Sequence, residues 1–442
     1  MQSLIVTEKA IVSGVVTGIA IVTESAIVTE SGGRMRNGAT SVRFGRTDSD
    51  SNSCNCLLNT PSVVFRVWRR FSSFNTTTVP VTETITDTFR TNEMNPINHR
   101  KDHDGRFYSI SQSVKRQLYA SGGLPKEYKE LSETLNGLSI MVRKPAIELI
   151  YYLNKTNFDA PVSRYVLYGK TGAGKSLSLA HILHYGSNAG MVLVHVPWVP
   201  NWVRFPKGST PSAVHPNMYD HPIESVEWLR HFGTQNGPLM QKLGLKTTET
   251  YTWSKREVTD AGSTLSELID LGLNRAKYAT DCVAALLCEL KKAAVSKQCR
   301  VLVVIDGFNA FFSPKSRVQR EDKSMVLPTE FVLTDAFLSL TRNDWTNGAI
   351  VVSVDASALP SELRNSPLPR YQLGKQGFEH LDPFVPIEVP NYDEKEFHSQ
   401  IDYYVERNWL QQPKARTERG RAELSFTSGN HPYSLMKLVA PY

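Results

Sequence analysis

The chain has 442 residues, of which 40% are hydrophobic and 21% are charged. This composition excludes a chain that is disordered throughout, and the length allows two or three domains. The formal net charge of +7 favours an anionic partner, but the basic residues are spread out, so charge alone is weak evidence for nucleic acid. No apolar run approaches the ~18 residues that a membrane-spanning helix needs, so we expect no membrane span.

Residues 1–74 differ in composition from the rest of the chain. The tetrapeptide Ile-Val-Thr-Glu recurs near the start, which is typical of low-complexity sequence. Between Ser51 and Val81 there is no acidic residue, as in a mitochondrial transit peptide. The segment Val63–Ser73 places three arginines among aromatic and apolar residues, and Arg69–Ser72 resembles a matrix-processing site. We therefore predict a low-complexity start followed by a transit segment. The alternative is a disordered basic tail.

The next segment, 75–160, is predicted to be an extended arm followed by a helical preface. Residues 76–107 are polar and irregular. From Leu124 to Tyr152 the apolar residues have helical spacing, with Pro145 as the expected break and Ile147–Leu153 as a second helix.

A strand, a glycine-rich loop and a helix follow one another at the start of the predicted main domain, 161–390. The apolar run Tyr165–Tyr168 leads into a segment that satisfies the phosphate-binding template G-x-x-x-x-G-K-[ST], and a helical pattern follows. The glycines allow successive backbone N–H groups to converge on phosphates at a helix N-terminus, Lys175 reaches the β and γ phosphates, and Ser176 binds Mg²⁺. The alternative is a purely structural glycine-rich turn. The predicted nucleotide contacts here are Gly169, Lys170, Thr171, Gly172, Ala173, Gly174, Lys175, Ser176 and Leu177.

An acidic residue at the end of a second buried strand is the expected partner of this loop. The run Val301–Ile305 is wholly apolar, as in a parallel strand that is covered on both faces, and Asp306 follows it. We predict that Asp306 and Ser176 hold Mg²⁺. The alternative is that Asp306 only caps a helix. Ser353, with Asp355 as an alternative, is the predicted γ-phosphate contact, although a buried small polar residue with no such role would give the same pattern.

Further apolar runs predict the remaining strands of one sheet. Long connections without hairpin signals separate them, which indicates crossover connections and a doubly wound parallel α/β sheet. A strand between the loop strand and the Asp306 strand favours the P-loop folds of the AAA+ and STAND ATPases over Ras-like proteins. The runs are Met191–Val196, Ala349–Val354 and Phe384–Val389.

Residues 391–442 are predicted to form a small helical lid beside the nucleotide. An acidic first turn follows Asn391, and two shorter helical patterns cover Thr417–Phe426 and Pro432–Val439. The alternative is a C-terminal helical cap that does not contact the ligand.

Two features bear on the chemistry of the site. The residue after Asp306 is Gly307, at the position where vigorous ATPases carry an acid that activates water, so we expect slow hydrolysis or none. The guanine-recognising tetrapeptide Asn-Lys-x-Asp does not occur in the chain, so the residues alone do not decide between ATP and GTP.

The chain from about Leu124 onward resembles the family of death-associated proteins of the mitochondrial ribosomal small subunit. The resemblance covers roughly two thirds of the chain, and apart from the loop its motifs are not generic. The matching segments are Tyr168–Leu179, Trp253–Glu257, Ala279–Asp281, Ile305–Ala310, Arg320–Lys323, Asn343–Ala349, Leu381–Phe384 and Asn408–Leu410.

The resemblance implies a protein of the mitochondrial matrix that binds GTP or GDP with Mg²⁺, in the head of the small ribosomal subunit. It implies small-subunit proteins and rRNA as partners, contacts near bridges to the large subunit, and an association with cell death. The charged stretch Lys315–Lys323 and the pair Lys255–Arg256 become candidate rRNA or nucleotide contacts, with solvated loops as the alternative.

The expected function is therefore a structural, nucleotide-binding ribosomal component that acts in mitochondrial translation with little or no turnover. ATP remains possible as the nucleotide. The alternative hypotheses are a free ATPase of the AAA+ or STAND type and a nucleotide-regulated adaptor in apoptosis signalling.

Overall fold

The computed structural model describes residues 89–440. The repeats and the transit segment predicted within 1–74 lie outside these residues. None of the helices in 89–440 is long and apolar enough to cross a membrane.

Short strands and one central sheet form the β structure of the described chain. Antiparallel pairing joins β1 to β2, β5 to β6 and β7 to β8, and the remaining strands form the central sheet. The strands are β1 Phe107–Ile110, β2 Leu138–Met141, β3 Ser163–Tyr168, β4 Val192–Val196, β5 Thr210–Pro211, β6 Tyr219–Asp220, β7 Tyr251–Thr252, β8 Val258–Thr259, β9 Val301–Ile305, β10 Gly348–Ser353 and β11 Val385–Glu388.

The central sheet has five parallel strands in the order β11-β3-β10-β9-β4. In register, Val351 of β10 lies opposite Tyr165 of β3 on one side and Val304 of β9 on the other. Every residue of β4, β9 and β10 is buried, which explains why these strands are nearly continuous apolar runs. The predicted doubly wound parallel α/β sheet is confirmed.

Helices cover both faces of the sheet. The helices are α1 Gln112–Tyr119, α2 Lys126–Thr134, α3 Lys144–Lys155, α4 Lys175–Asn188, α5 Pro200–Arg204, α6 Pro222–Leu243, α7 Leu265–Asn274, α8 Ala279–Val295, α9 Val332–Leu340, α10 Pro369–Leu381, α11 Glu394–Glu406, α12 Glu418–Ser428 and α13 Pro432–Leu438. Short 3-10 turns cover Pro96–Asn98, Lys101–His103, Ala276–Tyr278, Phe308–Phe312, Pro328–Glu330, Ala356–Ala358, Ser361–Leu363 and Pro413–Arg416.

Two hydrophobic cores lie on opposite faces of the sheet. Helices α6, α7, α8 and α9 contribute to the core that contains Val166, whereas α1, α3 and α4 contribute to the core that contains Tyr165 and Leu167. This division follows from the strand geometry, because successive side chains of a strand point to opposite faces.

The helical preface predicted between Leu124 and Tyr152 is wrong in one part. Residues Leu138–Met141 form β2, which pairs with β1. The second helix predicted over Ile147–Leu153 is confirmed within α3, and Pro145 lies in its first turn, at the boundary of the helix. A run of four buried residues has no period that separates a strand from a helix, and proline fits the first helical turn, where its missing N–H costs nothing.

The C-terminal helices pack on the preface. The prediction of three helices after Asn391 is confirmed as α11, α12 and α13. Their buried residues Phe397, Ile401 and Leu435 share a third core with Phe107 of β1 and Leu131 of α2. This packing places the end of the chain beside the carboxyl end of β3.

Candidate functional site

The glycine-rich loop joins β3 to α4 and follows a path that its glycines permit. Gly169, Gly172 and Gly174 have φ of +144°, +85° and +109°, values that residues with a side chain rarely adopt. A Cβ atom at position 169 would lie 2.4 Å from the carbonyl oxygen of Val389. The loop therefore passes close to the chain after β11, and α4 begins at Lys175 with its N-terminus next to the loop.

Three successive carbonyl groups of the loop accept hydrogen bonds from outside it. His431 Nε2 lies 2.9 Å from the oxygen of Thr171, and the N–H of Tyr433 donates to the oxygen of Gly172 at 3.3 Å. Arg143 Nη1 donates to the third oxygen, that of Ala173, at 2.7 Å. In a peptide unit the N–H points away from the carbonyl, so these contacts turn the following N–H groups to the other side of the loop. Within residues 89–440, the N–H groups of Gly172 and Gly174 have no hydrogen-bond acceptor.

Lys175 is buried at the start of α4 and contacts both backbone and carboxylate oxygens. Its Nζ donates to the carbonyl oxygens of Gly169 and Lys170 at 2.8 and 2.9 Å, and it lies 2.7 Å from Oδ2 of Asp355. Burial by itself raises the pKa of Asp355, but the charge of Lys175 and donors that include Thr171 outweigh it and hold that pKa below its usual value. The cation of the loop is thus kept beside an ionised carboxylate.

Asp306 lies at the end of β9, within reach of the hydroxyls of Ser176 and Ser353. Ser353 donates to Oδ1 of Asp306 and accepts from the N–H of Gly307 at 3.0 Å. Burial raises the pKa of Asp306 to about 6, against the opposing effect of hydrogen bonds from Ser176 and Ser353. The two predicted Mg²⁺ ligands, Ser176 and Asp306, are therefore adjacent. This hydroxyl and carboxylate suit a hard cation that keeps most of its water.

A cavity of about 580 Å³ opens next to the loop. Its volume is in the range of small-molecule sites. Residues of α2, of the segment after β4 and of the C-terminal helices line its remaining walls. The predicted site residues in its lining are Thr171, Gly172, Gly174, Lys175, Ser176, Leu177 and Asp306.

The other predicted site residues support the cavity without lining it. The carbonyl oxygens of Gly169 and Lys170 hold Lys175, that of Ala173 holds Arg143, and Ser353 holds Asp306. The role of Ser353 as a γ-phosphate contact stays a prediction.

The N–H groups, Lys175 and the adjacent pair Ser176 and Asp306 fit a nucleotide phosphate with Mg²⁺. The free N–H groups and the first turn of α4 offer partial positive charge, which favours an anion. Lys175 adds a full positive charge. The arrangement can bind and orient phosphates.

The sequence did not identify several residues that shape the site. Arg143 donates to the carboxylate of Glu396 with Nε and Nη2, both at 3.0 Å, while its Nη1 holds the loop. Arg143 lies before the loop in the chain and His431 lies far after it, so no local pattern could connect them. Asp355 is the alternative to Ser353 as the predicted γ-phosphate contact. Its contact with Lys175 shows why that position is polar.

The glycine that follows Asp306 is required by its surroundings. Gly307 has φ of +72°, and a Cβ there would lie 2.9 Å from Trp198 Cζ3 and 2.9 Å from Pro200 Cδ. No larger residue fits without a shift of the segment after β4. The position that would carry a water-activating acid is closed by packing.

Comparison with known proteins places the chain in a family. The family model described as mitochondrial ribosomal death-associated protein 3 matches residues 140–438. The chain is 40% identical to small ribosomal subunit protein mS29 of Bos taurus over 79% of this chain and 87% of that protein. It is 39% identical to the protein of the same name from Mus musculus over 79% of this chain and 89% of that protein.

Two solved structures are also similar to the chain. The ORC2 protein of Aeropyrum pernix, in ADPNP–ADP complexes, is 14% identical with a TM-score of 0.30, and the match covers 67% of this chain and 60% of that chain. The Hsp104–ADP complex of S. cerevisiae is 10% identical with a TM-score of 0.26, and the match covers 75% of this chain and 47% of that chain. The family match confirms both the resemblance predicted from the sequence and the predicted mitochondrial location. The chain belongs to the mitochondrial ribosomal death-associated protein 3 family.

Proposed function

We propose that this protein is a nucleotide-binding structural component of the small subunit of the mitochondrial ribosome and contributes to mitochondrial translation. The names of the two mammalian relatives support the assignment to the small subunit. The observation that carries the nucleotide-binding part is that three loop carbonyl groups are held from outside the loop, while the N–H groups of Gly172 and Gly174 are left without an acceptor within residues 89–440.

The ligand that we propose is GTP or GDP with Mg²⁺, with ATP as the other candidate. The loop N–H groups and Lys175 would bind the phosphates. Ser176 and Asp306 would hold Mg²⁺, which neutralises phosphate charge when it is bound. Burial raises the pKa of Asp306 and so favours its protonated form. A nearby cation would oppose this effect and favour the ionised form.

We further propose that hydrolysis is slow or absent. General-base catalysis needs a side chain within hydrogen-bond reach of the attacking water. Gly307 has no such side chain, and Trp198 and Pro200 leave no room for one. Nucleotide bound in this site would stabilise the fold by mass action without being consumed.

Ribosomal RNA and small-subunit proteins are the partners that we propose. Lys315, Lys323 and the pair Lys255–Arg256 are exposed, so their charges are available to phosphates of rRNA. Arg320 of the same loop pairs with Glu330 at 2.6 Å and is less available. Charge reversal at Lys315 and Lys323 should weaken co-sedimentation with small subunits more at low salt than at high salt.

The test uses the full-length protein and its Lys175→Ala variant, both purified with Mg²⁺. The nucleotide released by denaturation is identified by chromatography, and co-sedimentation with small subunits is measured in parallel. We expect GTP or GDP in the wild type and a large loss of nucleotide in the variant. Lys291→Ala removes a lysine that pairs with Asp344 on the surface and serves as the control. Unchanged nucleotide content in Lys175→Ala would show that the site assignment is wrong.

A further inference from the structure

The cavity has two ends of different chemistry. One end is formed by the phosphate loop, Lys175 and Asp306. The other is lined by apolar and aromatic groups, among them Pro125, Tyr128, Tyr404 and Met436. Flat apolar surfaces suit a nucleobase, whose faces are apolar and whose edge is polar. With the phosphates at the loop, the base of a nucleotide would lie at the second end.

A buried amide faces this second end. Gln400 of α11 lines the cavity and is only 5% exposed. Its Oε1 accepts a hydrogen bond from the hydroxyl of Tyr392 at 3.0 Å. Its Nε2 has no hydrogen-bond partner anywhere in 89–440, so the amide offers N–H donors to a ligand. This donor is accessible from the cavity, and a ligand that covered it without an acceptor would leave it buried and unpaired, which is costly.

The hydroxyl of Tyr392 holds one end of this amide. The ring of Tyr392 lies 4.9 Å from the guanidinium carbon of Arg143, and its backbone N–H donates to the carbonyl of Asn430 at 2.9 Å. Burial raises the pKa of Tyr392 to about 12, so the hydroxyl keeps the proton that it donates to Gln400. Because Oε1 is occupied by this bond, Nε2 is the amide atom left for the cavity.

We infer that Gln400 distinguishes purine nucleotides by the group at the 6-position of the base. This inference rests on the proposed nucleotide binding at the phosphate loop. The 6-oxo group of guanine accepts a hydrogen bond from Nε2. The 6-amino group of adenine is itself a donor, so neither this group nor Nε2 of Gln400 would have an acceptor. The site therefore selects 6-oxopurines, and Tyr392 is the positioning residue that keeps the amide in the selective orientation.

Four nucleotides separate recognition of the 6-position from recognition of the 2-amino group of guanine. Binding of GTP, ITP, ATP and 2,6-diaminopurine riboside triphosphate to the full-length protein is measured by calorimetry with Mg²⁺. We expect GTP and ITP, which share the 6-oxo group, to bind at least about tenfold more tightly than the other two, since one unpaired buried donor costs about that factor. Equal affinity for ITP and ATP would overturn the inference.

Two variants test the residues themselves. Gln400→Leu keeps the approximate volume but removes the donors, so the ratio of GTP to ATP affinity should fall about tenfold, toward one. Tyr392→Phe frees the amide to turn and should lower the same ratio by a smaller factor. Gln411→Leu alters an exposed glutamine after α11 and should leave the ratio unchanged. Thermal unfolding confirms that each variant is folded.

The result also separates this inference from the proposed function. Lys175→Ala should weaken all four nucleotides together, because it removes a phosphate contact. If the wild type binds triphosphates but Gln400→Leu leaves the GTP to ATP ratio unchanged, the inference fails and the proposed function stands. If the wild type binds none of the four, both fail.

Discussion

Lys175 and Asp355 form a buried ion pair at the glycine-rich loop, with Nζ 2.7 Å from Oδ2. The side chains of both residues are less than a tenth exposed. Thr171 also donates to this carboxylate, at 2.7 Å. Asp355 therefore balances the charge of the loop lysine, and a phosphate bound by Lys175 would supply a second, competing negative charge.

Replacement of this carboxylate should make stability depend on nucleotide. We expect Asp355→Asn to lower the free energy of unfolding by about 3 kcal/mol, because it leaves a buried lysine without its counter-charge. Bound GTP with Mg²⁺ would replace that charge, so the nucleotide should raise the melting temperature more in the variant than in the wild type. Asp344→Asn changes an aspartate that pairs with Lys291 and whose side chain is 53% exposed, so it should change stability by less than about 1 kcal/mol. An equal nucleotide effect in the variant and the wild type would contradict this account of the pair.

The position after Asp306 can be tested with a second glycine of similar conformation. Gly307 and Gly190 have φ of +72° and +68°, but a Cβ at 190 has no heavy atom within 4 Å. We expect Gly190→Ala to cost about 1 kcal/mol from the left-handed backbone alone. Gly307→Ala should cost roughly 1 to 3 kcal/mol more, because Trp198 and Pro200 must also move. Denaturant unfolding of both variants measures the difference, and equal losses would show that packing at Trp198 tolerates a side chain.

The bidentate contact between Arg143 and Glu396 should behave as a coupled pair. Each single replacement by Met leaves a buried charge without its partner and is expected to cost about 3 to 5 kcal/mol. The double variant should lose much less stability than the sum of the two single losses, since both buried charges are then gone. Unfolding free energies of the four proteins give the coupling. The same replacements at the exposed pair of Arg419 and Glu423 should show almost none.

Arg143 should also affect nucleotide affinity, and its effect should be larger than that of Glu396. Only Arg143 contacts the loop directly, through the carbonyl of Ala173. We expect Arg143→Met to weaken GTP binding more than Glu396→Met does, at a temperature where both variants are folded. The opposite order would show that the loop does not depend on this hydrogen bond.

We expect the protein to lose stability in mild acid because it has buried histidines. Burial lowers the pKa of His221 and of His231 to about 4. In the unfolded chain a histidine has a pKa near 6.5. Between these values the unfolded state binds more protons than the folded state, so stability is complete above pH ~6.5 and falls as the pH decreases. Protonation linked to each of the two histidines should lower the free energy of unfolding by about 2 kcal/mol at pH 5.

Replacement of one of these histidines should flatten the pH profile. His231→Gln keeps a polar side chain next to His195, whose Nδ1 lies 2.8 Å from Nε2 of His231. We expect the variant to lose about 2 kcal/mol less than the wild type between pH 7.5 and pH 5, measured by urea unfolding. Identical losses would mean that protonation of His231 does not drive acid unfolding.

The sequence predicted the parts of this site that depend on local signals. The strand before Gly169 and the strand before Asp306 are apolar runs whose flanking residues mark their ends, and the structure places both in the sheet. Because such strands are buried on both faces, their apolar runs can be recognised in the sequence without knowledge of the neighbouring strands. The adjacency of Ser176 and Asp306 also followed, because the carboxyl ends of parallel strands meet at one edge of the sheet.

Features that depend on tertiary packing could not be predicted in this way. Strand β2 was missed because four buried residues do not establish a period. Arg143, Gln400 and His431 lie in unremarkable polar contexts, and their roles come only from contacts with residues distant in the chain. The sequence showed that Gly307 lacks a side chain but not that Trp198 prevents one.

The contacts of His431 and Tyr433 with the loop have a consequence for the order in which the protein is made. During synthesis and import the loop emerges long before the residues that hold the carbonyl oxygens of Thr171 and Gly172. Chains fold from the N-terminus as they emerge, so the sheet can form while the loop still lacks these donors. The site is completed by residues 260 positions further along the chain than the loop. Nucleotide retention would thus distinguish a molecule that contains α13 from one truncated before it.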